Sequence, residues 1–161
     1  DFRGVIYAGI MVTAEGPKLL EFNVRFGDPE TQAVLPLLDG NLAQIMLACA
    51  KGTLTADMVK WYDGAAVCVV MASGGYPGNF EKGKVIKGLA EAGKLPQTVV
   101  FHAGTKQAGA DVVTSGGRVL GVTAMAKDIR SAKDAAYKAV GKIDFDEKFF
   151  RKDIAWRALK E

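Results

Sequence analysis

Residues 21–32, with the sequence EFNVRFGDPETQ, hold more potentially reactive side chains than any other stretch of this chain. Successive side chains of a β-strand point to opposite faces, so Glu21, Asn23 and Arg25 would share one face, with apolar residues on the other. A carboxylate and an amide oxygen beside a guanidinium suit a magnesium ion that carries a phosphate. The motif therefore predicts a site for a metal-bound phosphate.

The same alternation is typical of any half-buried antiparallel strand, so the pattern alone leaves a purely structural interpretation open. The residues that follow favour a site. Gly27-Asp28-Pro29 should end the strand sharply, because glycine tolerates unusual backbone angles and proline cannot extend a sheet. Pro29 also predicts the start of a helix over 30–38. A polar strand face that leads into a turn and a helix N-terminus commonly carries function.

The elements around the motif follow from local patterns. An apolar, β-branched run over 5–13, a turn at 14–17 and a second strand over 18–23 predict a hairpin with the motif on its second strand. Asn41 and Gly52 are placed to cap a helix over 42–50. Its apolar residues at helical spacing are expected in the core. They are Leu42, Ile45, Met46 and Cys49.

From residue 65 the chain becomes rich in glycine and in strand-forming residues. Gly116-Gly117 predicts a hairpin between the last two strands of this half. The clearest helix spans 127–141, with an apolar stripe and with Asp128 or Lys127 near its N-terminus. The predicted strands cover 65–72, 98–102, 111–114 and 118–124.

Two further segments carry weaker signals. The loop SGGYPG at 73–78 could present backbone N–H groups to an anion, but it lacks a phosphate-loop motif and a following helix, which favours a plain loop. His102 ends a predicted strand and has no nucleophile or paired carboxylate at motif spacing. A hydrogen-bonded structural histidine is therefore favoured.

Composition narrows the class of protein. The chain has 161 residues, 49% hydrophobic and 24% charged, which suits one ordinary domain or two small ones. The net charge of +3 is well mixed without a basic stripe, so we expect no nucleic-acid partner. No apolar run approaches the roughly 20 residues that cross a bilayer, so we expect no membrane partner. The isolated Cys49 and Cys68 predict buried thiols in a reducing, cytoplasmic compartment.

The motif at 21–32 closely resembles the signature of the glycinamide ribonucleotide synthetase family (phosphoribosylamine–glycine ligases), ATP-grasp enzymes of purine biosynthesis. The resemblance covers nearly the whole chain in the family's order. It continues through YAGIM at 7–11, MASGGYPG at 71–78, VFHAGT at 100–105, TSGGRVLGVTA at 114–124 and FRKDIAWRAL at 150–159. The chain departs from the expected forms at Gly75 and at Ala155-Trp156, outside the signature.

The resemblance implies an α+β fold in two parts. Residues 1–60 would be the C-terminal part of an ATP-grasp domain, built from antiparallel strands and helices. Residues 65–161 would be a small C-terminal domain with a mixed sheet of partial barrel-sandwich type. The chain opens on Asp1 rather than Met, so we expect that the N-terminal domains of the enzyme lie upstream and that this piece is inactive alone.

The resemblance also implies a reaction and its participants. ATP, glycine and 5-phosphoribosylamine would give glycinamide ribonucleotide, ADP and phosphate through glycyl phosphate. Glu21 and Asn23 would bind Mg²⁺ or Mn²⁺ that bridges the ATP phosphates, and Arg25 would neutralise charge on the transferred phosphate. Gly27, Asp28 and Pro29 would form the glycine pocket, in which Asp28 could hold the ammonium group. Arg25 and Asp28 are thus the expected catalytic residues.

Two other interpretations stay open. The chain could belong to another ATP-grasp carboxylate–amine ligase with a different acid or amine. It could also be a non-catalytic assembly module that keeps the fold without the chemistry. The intact Glu21, Asn23 and Arg25 argue against the second, because a module without catalysis has no need of that alternation.

Overall fold

A computed structural model describes residues 1–159. The chain divides into two compact units. The hairpin unit comprises Asp1–Thr31 and Leu38–Tyr62, and the sheet unit comprises Gln32–Leu37 and the described chain from Asp63 onward. In residues 1–159, no helix is long and apolar enough to cross a membrane.

The hairpin unit is built on two antiparallel strands, β1 (Tyr7–Thr13) and β2 (Gly16–Asn23), as predicted. The register pairs Tyr7 with Asn23 and shifts by one residue between Gly9 and Ile10. Gly16 closes the turn with φ of 101°, a left-handed conformation that glycine adopts without strain. The first three residues of the motif, Glu21, Phe22 and Asn23, therefore lie on the second strand of a local, tightly connected ribbon.

The predicted helix over 30–38 is wrong in length. The structure has one α-helical turn, α1 (Thr31–Val34), followed by a 3₁₀ turn over Leu35–Leu37. Pro36 explains the difference, because proline has no N–H to donate inside a helix and disfavours helical angles at the preceding residue. The chain then forms β3 (Leu38–Asp39).

The second predicted helix is confirmed as α2 (Leu42–Lys51), and its caps are as expected. The Asn41 side chain accepts a hydrogen bond from the N–H of Gln44 at 3.1 Å, and Gly52 ends the helix with φ of 70°. The prediction of a fully buried apolar face is wrong at Met46, which is 48% exposed. Leu42, Ile45 and Cys49 are half-buried.

The rest of the hairpin unit is short. A 3₁₀ turn over Ala56–Met58 leads into β4 (Lys60–Trp61), which pairs antiparallel with β3. The pairing brings together the chain segments that precede and follow α2, and it sets Asp39 opposite Lys60.

The sheet unit contains a sheet of four strands, β5 (Ala65–Ser73), β6 (Thr98–His102), β9 (Arg118–Ala126) and β10 (Lys148–Phe150). Their order in the sheet is β10-β5-β9-β6. The α+β class is confirmed, but every pair is antiparallel where a mixed sheet was predicted. β9 and β10 run in the same direction, yet β5 lies between them, so no adjacent pair is parallel. The described strands form no closed barrel.

Helix α4 (Ile129–Val140) covers β5 and β9. Asp128 caps it, because its carboxylate accepts a hydrogen bond from the N–H of Ser131 at 2.7 Å, and the predicted apolar stripe is buried or half-buried. The short helix α3 (Leu89–Gly93), which the sequence did not predict, packs on β6. The buried core consists of Val67, Val69, Met71, Ile86, Ala92, Val119, Leu120, Val122, Ala124, Ala132, Ala136, Ala139, Val140, Ile143 and Phe145.

The hairpin predicted around Gly116-Gly117 is wrong. The hairpin of this region joins β7 (Thr105–Ala108) to β8 (Asp111–Thr114), and β9 pairs instead with β5 and β6. Gly117 accepts a hydrogen bond from the N–H of Ser73 at 2.8 Å, and Gly116 donates to the carbonyl of Gly104 at 3.2 Å. Gly116 and Gly117 therefore bond to the end of β5 and to the loop after β6, and they do not form a turn that pairs β8 with β9.

Candidate metal and phosphate site

The polar face of the hairpin brings together two residues that carry oxygen ligands. Glu21 and Asn23 are two residues apart on β2, and the Asn23 Nδ2 donates a hydrogen bond to Glu21 Oε1 at 3.1 Å. Tyr7 lies opposite Asn23 and Gly9 lies opposite Glu21. A Cβ at Gly9 would lie 3.1 Å from Glu21 Cγ, so the glycine leaves space for this carboxylate. The predicted neighbourhood of Glu21 and Asn23 is therefore present.

This pair fits one kind of metal site and not another. Within residues 1–159, no group of three or more His, Cys, Asp or Glu side chains could hold a metal ion. Mg²⁺ usually keeps several waters and binds through one or two protein oxygens together with substrate phosphates. A carboxylate and an amide oxygen on one exposed strand face meet that requirement, whereas they would not make a closed metal cage.

Arg25 lies beyond the strand. β2 ends at Asn23 and the chain bends at Val24 and Arg25, so strand alternation does not place Arg25 in a row with the two oxygen ligands. Its Nη1 donates to the carbonyl of the adjacent Phe26 at 2.8 Å. The exposed guanidinium is held along the bend that follows the strand, and its role in binding phosphate stays a prediction.

The turn after the strand is fixed by its own hydrogen bonds. Thr31 donates to the carbonyl of Gly27 from its N–H at 3.1 Å and also from its Oγ1. Gly27 is buried, and the Asp28–Pro29 peptide bond is cis. The φ of Gly27 lies outside the left-handed region, so backbone freedom is not the reason for glycine here. A Cβ would lie 2.6 Å from Glu30 Oε2, which shows that the space is taken by the Glu30 carboxylate.

Sequence reasoning missed Tyr7 and Glu30. The Tyr7 hydroxyl donates to Glu30 Oε1 at 3.3 Å, and the negative charge of Glu30, with a smaller contribution from Glu21, raises the pKa of the Tyr7 phenol. The predicted hairpin contained a signal for Tyr7, because pairing the two strands back from their turn brings it opposite the motif. Glu30 carried no comparable signal, since it was assigned to a helix.

The other segments singled out in the sequence lie in the sheet unit. A shallow pocket of about 360 Å³ is lined by the loop at Gly74 and Gly75 and by Glu147. The loop is not followed directly by a helix, in keeping with a plain loop. His102 Nδ1 is 3.0 Å from Thr105 Oγ1, which agrees with a structural histidine. Arg118 begins β9 and its carbonyl accepts the N–H of Gly104 at 2.8 Å.

Comparison with known proteins identifies the family. The model of the phosphoribosylglycinamide synthetase C domain matches residues 66–157, more than half of the chain. The chain belongs to the phosphoribosylglycinamide synthetase family. The model of the ATP-grasp (A) domain of the same synthetase matches residues 1–31, which include Glu21 and Asn23. The family resemblance seen in the sequence is thereby confirmed.

Relatives and solved structures agree with this family. The chain is 53% identical over 161 residues to the phosphoribosylamine–glycine ligase of Synechocystis, covering 99% of the chain and 38% of that relative. The crystal structure of phosphoribosylamine–glycine ligase from Thermotoga maritima has a TM-score of 0.76 at 35% identity, over 92% of this chain and 36% of that one. The chain thus spans less than two fifths of these synthetase relatives.

A more distant likeness concerns the fold alone. The biotin carboxylase domain of Hydrogenobacter thermophilus 2-oxoglutarate carboxylase, solved in complex with MgADP and bicarbonate, has a TM-score of 0.63 at 13% identity. The match covers 95% of this chain and 36% of the biotin carboxylase chain. The architecture is therefore shared beyond the synthetase family.

Proposed function

We propose that this chain is part of an ATP-dependent ligase that joins glycine to 5-phosphoribosylamine. The products would be glycinamide ribonucleotide, ADP and phosphate. The observation that carries the proposal is the pair of oxygen ligands, Glu21 and Asn23, on a strand of a chain that is 53% identical to a phosphoribosylamine–glycine ligase. Because the chain spans only 38% of that relative, the activity belongs to a longer protein that contains it.

Glu21 and Asn23 would hold a divalent cation, Mg²⁺ or Mn²⁺, on ATP. Both cations accept carboxylate and amide oxygens, and the distant biotin carboxylase domain was solved with MgADP. When bound, the cation would neutralise charge on the β- and γ-phosphates.

The first chemical step would be phosphoryl transfer. A carboxylate oxygen of glycine attacks the γ-phosphorus of ATP, the bond to the β,γ-bridging oxygen breaks, and ADP leaves. Arg25 would stabilise the charge that spreads over the transferred phosphoryl oxygens, since a guanidinium binds phosphate oxygens in a fixed fork. The product of this step is glycyl phosphate, a mixed anhydride with a good leaving group.

The second step would form the amide bond. The amine of 5-phosphoribosylamine attacks the acyl carbon of glycyl phosphate, loses a proton and expels inorganic phosphate. Gly27, Asp28 and Pro29 would line the pocket for glycine, with Asp28 facing its ammonium group. The turn is well suited to hold a small substrate because Thr31 fixes the Gly27 carbonyl twice.

We further propose the domain limits that the sequence indicates, 1–60 for the ATP-grasp part and 65–161 for the C-terminal domain. Both of these domains would bind the remaining domains of the ligase. The enzyme would act in the cytoplasm, where ATP and reduced thiols are available; within residues 1–159 neither Cys49 nor Cys68 forms a disulfide.

The test is a drop-out assay on a full-length enzyme that contains this chain. ADP release should require ATP, Mg²⁺, glycine and 5-phosphoribosylamine together, and mass spectrometry should detect glycinamide ribonucleotide. Turnover with a different acid and amine would assign the chain to another carboxylate–amine ligase. No turnover with any pair, despite normal folding, would support a non-catalytic module. The 161-residue chain by itself is expected to show no ATPase activity.

A further inference from the structure

The segment Gln32–Leu37 belongs to the sheet unit, although it directly follows the turn of the candidate site. Thr31, which bonds the Gly27 carbonyl through its N–H and its hydroxyl, belongs to the hairpin unit, and Gln32 is the next residue of the chain. One peptide bond therefore joins the turn to a segment that packs within the sheet unit.

Pro36 leaves one carbonyl of this segment in need of a donor from elsewhere. In an α-helix the carbonyl of one residue accepts from the N–H four residues later, and the residue four places after Gln32 is Pro36, which has no N–H. The structure supplies a side chain instead: Thr123 Oγ1, on β9, donates to the Gln32 carbonyl at 2.8 Å. This hydroxyl takes the place of the helical N–H that proline lacks.

Strand β9 is shaped to receive the segment. Thr123 is only 1% exposed, and Gly121 lies two residues before it on the same face of the strand. A Cβ at Gly121 would lie 3.7 Å from Gln32 Cγ and 3.3 Å from Cys68 Sγ, and the φ of Gly121 is not left-handed, so the glycine serves to leave room. The 3₁₀ turn over Leu35–Leu37 contacts the neighbouring β5. The bond from Thr123 is thus part of a packed contact with the two central strands of the sheet.

We propose that Thr123 is a positioning residue for the candidate site, and that its hydroxyl keeps the Gly27-Asp28-Pro29 turn in the arrangement that binds glycine. The inference rests on the proposed function, in which this turn lines the glycine pocket. Thr123 fixes the carbonyl of Gln32, and Thr31, the next residue toward the turn, fixes the carbonyl of Gly27. Displacement of a substrate-binding group by about 1 Å can cost about 100-fold in rate, so a bond outside the pocket can govern binding within it.

This role sets Thr123 apart from the other buried residues of the sheet unit. Val69 and Val122 lie in the apolar core, where substitutions are expected to change stability and not the reaction. The Thr123 hydroxyl bonds a segment that is covalently joined to the candidate site. Its loss should therefore also change how the enzyme handles glycine.

The experiment is Thr123→Val in the full-length enzyme. Valine has nearly the shape of threonine but no hydroxyl, so the variant should fold while the Gln32 carbonyl loses this donor. The KM for glycine should rise about 10-fold, the factor expected for one lost hydrogen bond. The KM for ATP should stay near the wild-type value, because the proposed metal ligands lie on β2 rather than in the turn.

Thr114→Val is the matched control. Thr114 is also a buried threonine of the sheet unit, and its hydroxyl also bonds the main chain of a distant segment, since it accepts the N–H of Lys84 at 3.2 Å. That segment does not adjoin the turn of the candidate site. Both valine variants should lower the melting temperature by similar amounts, but Thr123→Val alone should raise the KM for glycine.

Two further measurements separate the hydroxyl from packing in general. Thr123→Ser, which keeps the hydroxyl and loses a methyl group, should have a KM for glycine near the wild-type value. Hydrogen exchange followed by mass spectrometry should be faster in α1, Thr31–Val34, in Thr123→Val than in wild type, and unchanged there in Thr114→Val. Exchange is measured without substrates, so this readout does not depend on turnover.

A wild-type KM for glycine in Thr123→Val would overturn the assignment, whatever the exchange of α1 shows. An equal rise of this KM in Thr114→Val or in Thr123→Ser would also overturn it, because lost packing rather than the lost bond would then be the cause. Wild-type enzyme is assayed first: failure to use glycine refutes the proposed function, whereas normal wild-type turnover beside an unaffected Thr123→Val refutes this inference alone.

Discussion

The two units of this chain differ in how their apolar side chains are used. In the hairpin unit, Val12 is 83% exposed, Leu20 65% and Phe22 63%, so the ribbon has no buried second layer of its own. In the sheet unit, Val69 and Val122 are fully buried at the centre of a sheet covered by α4. The candidate catalytic and metal-binding residues lie in the hairpin unit, whereas most of the buried apolar packing lies in the sheet unit. Variants should therefore separate into those that change activity and those that change stability.

The largest expected effect comes from Glu21→Ala. Glu21 is exposed on β2, and its removal leaves no cavity, so the fold should stay intact. Turnover of the full-length enzyme should fall about 1000-fold, because the proposed metal ligand is lost together with the electrostatic stabilisation of the phosphoryl group. Steady-state ADP release and a thermal melt measure the two quantities.

Glu15→Ala is the control for this variant, since Glu15 lies on the same hairpin and is also exposed. It should retain activity. A Glu21→Ala enzyme with normal turnover would remove Glu21 from the metal site. A large drop in its melting temperature would show that the polar face of the hairpin unit contributes to stability, so that the two units would not differ in this respect.

The second-largest expected effect is a loss of stability in the sheet unit. Gly88 has φ of 79°, and a Cβ there would lie 1.8 Å from the carbonyl oxygen of Lys142, which is main chain and cannot move aside. Gly88→Ala should destabilise the unit by at least about 3 kcal/mol, since strain and a backbone clash add. Denaturant unfolding followed by hydrogen exchange in β5 and β9 measures this loss.

Gly83→Ala separates the cost of backbone strain from the cost of the backbone clash. Gly83 has nearly the same φ, 84°, but nothing lies within 4 Å of its Cβ position. Its substitution should cost only about 1 kcal/mol, the strain of a left-handed non-glycine residue. Equal losses at the two positions would mean that strain alone acts, and that the approach of Gly88 to Lys142 is not a tight constraint in the sheet unit.

Local signals in the sequence predicted the elements whose stabilising contacts are also local. The caps Asn41, Gly52 and Asp128 were correct because a cap bonds its own first or last turn. The hairpin β1–β2 was correct because the turn between its strands is short. The helix over 30–38 was wrong because Pro36 cannot donate a backbone hydrogen bond and limits the α-helix to a single turn.

Long-range contacts were not predictable in the same way. Gly116-Gly117 looked like a hairpin turn, but its bonds go to Ser73 and Gly104, which lie far along the sequence. In the candidate site, the sequence placed Glu21 and Asn23 side by side, whereas the Tyr7–Glu30 bond spans 23 residues and crosses from one strand to a turn. Patterns of period two or 3.6 carry no information on such pairs.

The smallest expected effect is on the stability contributed by the N-terminal cap of α4 in the sheet unit. The Asp128 carboxylate accepts hydrogen bonds from the N–H and the hydroxyl of Ser131, at 2.7 and 3.1 Å, and these bonds lower its pKa. A group whose pKa is lower in the folded state stabilises it above the unfolded pKa, about 4 for aspartate, and loses this contribution as pH falls through the folded value. Asp128→Ala should therefore be less stable than wild type at pH 7, and the difference should shrink below about pH 4.

Asp134→Ala is the matched control, because Asp134 is an exposed aspartate in the middle of the same helix and caps nothing. Its stability relative to wild type should change little over the same range. Asp128→Asn keeps an oxygen for the cap but does not titrate, so it should lie between wild type and Asp128→Ala at pH 7. Denaturant midpoints at pH 7, 5 and 3 measure the series. A difference between Asp128→Ala and wild type that stays constant over this range would show that the cap acts without its charge, and that the sheet unit depends on packing even at its helix ends.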